Sequence, residues 1–304
     1  GVARISDWEG GHRRTGGGGP VRGRGRGGRH TLRGEGPVSL RWPEWGVAEA
    51  SARKVAPQTL SGRIAPPVAG AGLLEAIPTE SIVRNVDPLD ADNDGVSGRM
   101  PSGRFGWRGG AATLKAQIAD ALALDMGIAT VTRPDPAGDC PRCPATPAGP
   151  ETTDAAFEAI VFYVRNLGPP PRVDAGAVDV LAGRAVFHAV GCSACHTPSH
   201  RTGPAPDAPW LADQTLWPYT DMLLHDMGRG LADAVSAEWR TPPLCGLGRN
   251  AAVNGARYFL HDGRARSPLE AILWHGGEAA GSRDAVKSLP PEERHALLRF
   301  LESL

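Results

Sequence analysis

A chain of 304 residues with 33 basic and 33 acidic side chains carries no formal net charge, which argues against nucleic acid or an anionic membrane surface as a partner. No apolar run reaches the length of a membrane span, and the chain has room for two domains of ordinary size. With 40 Gly and 28 Pro, the composition predicts many loops between short helices.

Residues 1–36 are Gly/Arg-rich, as in Gly16-Gly-Gly-Gly19 and Arg22-Gly-Arg-Gly-Arg26, with neither helical period nor a hydrophobic signal core, and read as disordered. From residue 37 the composition is that of a folded protein. The apolar stretch Ala71 to Ile77 ends at Pro78, and Thr79 or Ser81 is placed to cap a turn of helix through Val86. Asp90-Ala-Asp92-Asn-Asp94-Gly95 has carboxylates at positions 1, 3 and 5 and Gly at 6, the first half of a calcium loop. Pro101 stands where the bidentate Glu of an EF-hand belongs, so that motif is excluded. Two readings remain: a looser calcium cage from Asp90, Asp92, Asp94 and Asp87, or an Asp/Asn/Gly surface turn.

Residues 111–126 space Leu114, Ile118, Leu122 and Met126 at i, i+4 and are followed by Gly127, which predicts an amphipathic helix ending on Asp125 and Met126. Cys140-Pro-Arg-Cys143 lies in a Pro-rich loop and reads as a local disulfide, with a redox-active pair as the alternative. Thr153 caps a predicted helix to about Leu167, with Phe157, Ile160, Val161 and Val164 on one side. Gly168-Pro-Pro-Pro171 then serves as a linker between two domains.

A helix predicted from Asp174 to His188 leads into Cys192-Ser-Ala-Cys195-His196, the c-type haem attachment signature. The spacing is set by chemistry: two thiols add across the vinyl groups on one edge of the porphyrin, and the next imidazole reaches the iron. No second Cys-x-x-Cys or His pair stands at zinc spacing. A last helix is predicted from Pro291 to Leu304. A helix before the haem motif and another at the C-terminus is the layout of a cytochrome c domain, so the fold class expected is all-α. The domains expected are an N-terminal one over 37–170, lacking a haem motif, and a haem-bearing one over 171–304. Haem c attachment implies a periplasmic or exported protein, although no export signal is present in the chain. For the sixth iron ligand, spacing leaves His225, Met227, His261 and His275 open, and places His200 too near the proximal ligand.

Further motifs carry a family resemblance: Gly72-Leu-Leu-Glu-Ala-Ile77, Gly103-Arg-Phe-Gly-Trp107, Asp125-Met-Gly127, Pro218-Tyr-Thr-Asp221, His225-Asp-Met-Gly228, Trp239-Arg-Thr-Pro-Pro243, His261-Asp-Gly-Arg264 and Leu269 to His275. Over residues 37–304 the chain resembles the di-haem oxidoreductase, or thiol oxidoreductase, branch of the bacterial dihaem cytochrome c peroxidase (MauG-like) superfamily.

The resemblance implies two haems c, often with calcium between them, hydrogen peroxide as oxidant, and a small redox protein as electron donor or protein substrate. It implies a distal ligand fourteen residues past His261, which is His275, making the His196 haem bis-His and low-spin. Asp125 falls near the family's peroxidatic acid, with a plain helix-end carboxylate as the alternative. Arg240 and Arg264 are candidates for haem propionate pairing, against the reading as ordinary surface charges. The family's N-terminal Cys-x-x-Cys-His is absent, which leaves a single-haem electron carrier as the alternative function. Thiol chemistry through Cys140 and Cys143 is a third reading.

Overall fold

A computed structural model describes residues 2–4, 20–22, 26–41, 44–46, 61–134, 149–255 and 257–304. Nine helices stand among them: α1 (Ala71–Glu75), α2 (Thr79–Val83), α3 (Leu114–Ala121), α4 (Asp154–Arg165), α5 (Val178–Ala189), α6 (Asn250–Asn254), α7 (Pro268–Trp274), α8 (Ala280–Ser288) and α9 (Pro291–Ser303). Thr153 caps α4, its side chain accepting from the Ala156 amide, as the sequence predicts. The helix expected over 111–126 begins only at Leu114, where Thr113 caps it. It widens into a π-helical turn, Leu122–Met126, closed by Gly127 at φ 72°. That change of pitch carries Met126 off the buried stripe and leaves it 65% exposed.

The expectation of an all-α fold is overturned. About 38% of the residues are helical, and five two-stranded sheets join them among the described residues. Glycine and proline at this density stop helices early and favour tight turns, so the segments between helices pair as short ribbons. Four of the pairs are antiparallel, and one, Val2–Arg4 with Ser61–Arg63, is parallel.

The longest ribbon takes in residues 26–36, the last part of the Gly/Arg-rich segment. Strands β1 (Arg26–Leu32) and β2 (Gly36–Arg41) form a hairpin. Positive φ at Gly34 and Gly36 makes its tight turn accessible. Leu32 and Leu40 are buried against Leu231, Trp239, Leu273 and Trp274. The fully buried guanidinium of Arg294 fastens the turn: it donates to the Arg33 carbonyl at 2.7 Å and pairs with Glu35 at 3.4 Å. The Arg33 amide in turn donates to the Lys287 carbonyl. Two apolar side chains and one clamped turn order a segment whose composition alone reads as solvated.

Two further cores flank this one. Leu74 of α1, Leu114 and Ile118 of α3, and Phe157 and Val161 of α4 pack together with Leu216, Met222 and Leu223 from beyond the linker. In the other core α5 crosses α9, with Phe187 against Phe300 at 5.3 Å. Gly183 permits the crossing: a Cβ there would lie 1.9 Å from the Ala296 carbonyl oxygen. This is the helix pair expected beside the haem motif.

The two halves repeat one supersecondary unit. Phe105, Trp107, Gly109, Ala111 and Thr113 recur at the same spacing as Phe259, His261, Gly263, Ala265 and Ser267. In each, the Phe amide donates to the Ala carbonyl at 2.9 Å, and the Gly has positive φ (61° and 71°). The hydroxyl residue then caps the next helix, α3 or α7. Trp107 and His261, equivalent in the repeat, meet edge to face with centroids 6.4 Å apart.

Candidate haem site

At the end of α5, Gly191 (φ 82°) turns the chain into a 3-10 turn, Cys192–Ala194. The His196 amide donates to the Cys192 carbonyl at 3.0 Å, which sets both thiols and the imidazole on one short loop. Burial pushes the Cys192 thiol up to about 12 and raises Cys195 as well. His196 Nδ1 donates to the Tyr219 carbonyl at 2.9 Å, which leaves Nε2 as its lone-pair donor. Tyr219 reaches this position at φ 54°, a left-handed conformation costly for a bulky residue. Its ring, wedged between Phe187 and Phe300 at 5.7 and 5.6 Å, holds it there.

His275 follows α7 directly. Its Nδ1 donates to the Ala271 carbonyl at 2.7 Å, again leaving Nε2, and Arg283 donates to its carbonyl. Burial, reinforced by the His275 charge and opposed by the hydrogen bond to Tyr219, holds His196 down to about 4; burial also lowers His275. Both rings are therefore neutral donors at ordinary pH.

The remaining ligand candidates are otherwise engaged. His225 has a carboxylate on each ring nitrogen, Asp221 at 2.8 Å on Nε2 and Glu278 at 2.9 Å on Nδ1, so neither nitrogen has a lone pair to offer. Desolvation lowers it, but the hydrogen bonds and charges of Asp221 and Cys195 outweigh that and raise it to about 11. His200 Nε2 bonds the Thr220 carbonyl at 2.7 Å. His261 stacks on Trp239, and Met227 packs against the core that holds Leu273 and Trp274.

Arg240 is buried and donates to two carbonyls, Gly106 at 2.9 Å and Thr241 at 3.3 Å. Burial lowers it to about 10, with Asp221 opposing. No ion pair to Arg240 is present among the described residues, so a buried cation stands without a contacting carboxylate. Arg264 is different. Its guanidinium is bound to Asp262 at 2.6 and 2.8 Å and lies over the Trp274 ring at 4.5 Å.

Asp125 sits on the π-helical turn and is exposed. In the acidic loop, carboxylate oxygens of Asp87, Asp90 and Asp92 lie within 4.8 Å of one another. Asp94 is not in this group; its Oδ1 accepts from the Val96 amide at 2.8 Å. Cys140 and Cys143 lie outside the described residues.

Residues 52–304 match the family model described as "Di-haem oxidoreductase, putative peroxidase". The chain belongs to the di-haem oxidoreductase family. An oxidoreductase role with haem as cofactor follows from that membership. No curated protein matches the chain. Hydrazine synthase of Kuenenia stuttgartiensis, solved under xenon, is similar at 21% identity over 51% of this chain and 57% of that one, with a TM-score of 0.33. This chain thus spans little more than half the length of that structure. No helix among the described residues is long and apolar enough to cross a membrane.

Tyr219, Asp221 and Trp239 stand in the motifs that carry the family resemblance, but three roles were not read from them: the Tyr219 carbonyl on His196, the pairing of Asp221 and Glu278 on His225, and the stacking of Trp239 on His261.

Proposed function

We propose that the protein is a peroxidase-like haem c oxidoreductase in which His196 and His275 would both hold the haem iron, leaving it closed and low-spin. The observation that carries this reading is the matched pair of imidazoles, each with Nδ1 tied to a main-chain carbonyl and Nε2 left over. The donor set fits haem c. Cys192 and Cys195 supply the two thioether sulfurs, and Arg240 is a buried cation that a propionate would neutralise. Haem c, when bound, supplies one-electron chemistry between a reduced donor and peroxide.

The chain's own residues do the rest. The Tyr219 and Ala271 carbonyls fix the tautomer and orientation of each imidazole and strengthen it as a donor. The closed iron relays electrons to a separate peroxide-reducing site, where Asp125 is the proposed carboxylate that would move a proton between the peroxide oxygens. The donor, or the protein oxidised, is a small redox protein. Asp87, Asp90 and Asp92 are the proposed calcium ligands, and the compartment is the periplasm.

The closed iron itself favours one other reading, a single-haem electron carrier. The ferric EPR spectrum with haem counted per chain, followed by peroxide-dependent oxidation of a reduced donor, separates the two. An enzyme consumes peroxide faster than free haem and loses that activity, but not its low-spin signal, in Asp125→Asn. A carrier is reduced and reoxidised without such turnover.

A further inference from the structure

We propose that His225 is a positioning residue that holds the two axial-ligand segments in register, one through each ring nitrogen; this rests on the bis-His reading above. Asp221, on Nε2, lies two residues past Tyr219, whose carbonyl orients His196. The Asp221 amide also donates to the Cys195 carbonyl at 2.9 Å, so this carboxylate belongs to the loop that bears the thiols and the proximal imidazole. Glu278, on Nδ1, lies three residues past His275. His225 and Asp221 are essentially fully buried, and Glu278 is 12% exposed.

Two carboxylates on one imidazole require both nitrogens to donate, so the ring is an imidazolium bridging two anions. Such a bridge is stiff: ring width and two short hydrogen bonds fix the separation of the carboxylates. Glu278 is held from its other side by the Ser97 amide at 3.0 Å, the Ser97 hydroxyl at 2.6 Å and the Asp226 amide at 3.3 Å, with Arg99 at 3.8 Å. Asp221 faces the buried Arg240 charge.

The backbone shows the same juxtaposition independently. A Cβ on Gly277 (φ 52°) would lie 2.1 Å from the Asp226 carbonyl oxygen, and one on Gly228 (φ 72°) 2.6 Å from the Gly277 amide nitrogen. The strand that carries His225 and the loop that follows His275 are thus packed main chain to main chain. Removing the imidazolium removes the group that spans the two carboxylates: Asp221 keeps its amide bond to the Cys195 loop and Glu278 its bonds to Ser97, so the two segments lose their common spacer. The His275 side is then the freer one, because Cys192 and Cys195 would tether the other through haem c.

The test uses the haem-loaded full chain and compares wild type with His225→Leu and His225→Gln. Haem per polypeptide, the ferric EPR spectrum and the reduction midpoint are recorded for each. Val161→Ala, in the core of α1, α3 and α4, serves as a control for general destabilisation. The expected result is unchanged haem content with a high-spin ferric component and a shifted midpoint in the His225 variants, while Val161→Ala keeps the wild-type spectrum. A low-spin wild type with an unchanged spectrum and midpoint in His225→Leu overturns the inference alone. If His225→Leu does not fold, the same outcome in His225→Gln overturns it. A high-spin wild type overturns the axial pair itself, and this inference with it.

Discussion

The imidazole of His261 lies flat on the indole of Trp239, with ring centroids 3.7 Å apart and planes 11° from parallel. Arg63 and Arg108 lie over the same indole at 4.4 and 4.1 Å and both reach Asp233. Trp239 therefore holds a histidine and two guanidiniums about one ring, near the contact between the two repeated units. Burial is the main reason the His261 imidazole is held down to about 4; Asp262 opposes it, and Arg264 and Arg63 reinforce it.

That lowering has a sign. Between pH 6.5 and about 4 the unfolded chain takes up a proton at this position and the folded one does not, so stability falls as pH falls through that window. The loss reaches at most about 3 kcal/mol. His261→Phe keeps the stacked ring and removes the titration. Its denaturant midpoint is expected to decline less than that of the wild type between pH 6.5 and 4.5, and parallel curves would refute the assignment.

His275→Ala removes the distal Nε2 while leaving the Cys192 and Cys195 attachment in place. The purified variant is expected to keep its haem through denaturing electrophoresis and to show a ferric high-spin EPR signal. A spectrum still fully low-spin would mean that another residue ligates the iron.

Gly183→Ala places a methyl group 1.9 Å from the Ala296 carbonyl oxygen at the crossing of α5 and α9. Helix propensity favours the change, but overpacking costs about 1–3 kcal/mol and should win. A lowered midpoint in urea unfolding is the expected outcome. Because the crossing carries Phe187, which packs on Tyr219, the low-spin spectrum is expected to broaden too.

Calcium at Asp87, Asp90 and Asp92 is tested by titration calorimetry of protein first treated with chelator. Heat with a single-site isotherm is expected, and its loss in Asp90→Asn. Asp94→Asn, outside the group of three carboxylates, is expected to bind nearly as tightly as the wild type.

Several features were decided by local sequence. Cys192, Cys195 and His196 need only one turn to present their atoms, so spacing announces them. Thr153 and Gly127 end their helical segments by local hydrogen bonding and left-handed φ, and short-range chemistry is legible in a linear string. His275, which spacing left among several candidates, was reached through family resemblance. Tertiary structure decided what depends on partners far along the chain. His225 sits in the same kind of motif as a ligand, yet Asp221 and Glu278 take both of its nitrogens, and no local pattern foretells a carboxylate arriving from beyond residue 275. The strand and turn over 26–36 read as solvated by composition because Leu32 is their one large apolar side chain; burial of Leu32 and Leu40 against Trp239 and Trp274 and the clamp from Arg294 hold them. An all-α architecture fails for the same reason: strand pairs, unlike helices, close hydrogen bonds between segments whose proximity only the folded chain creates.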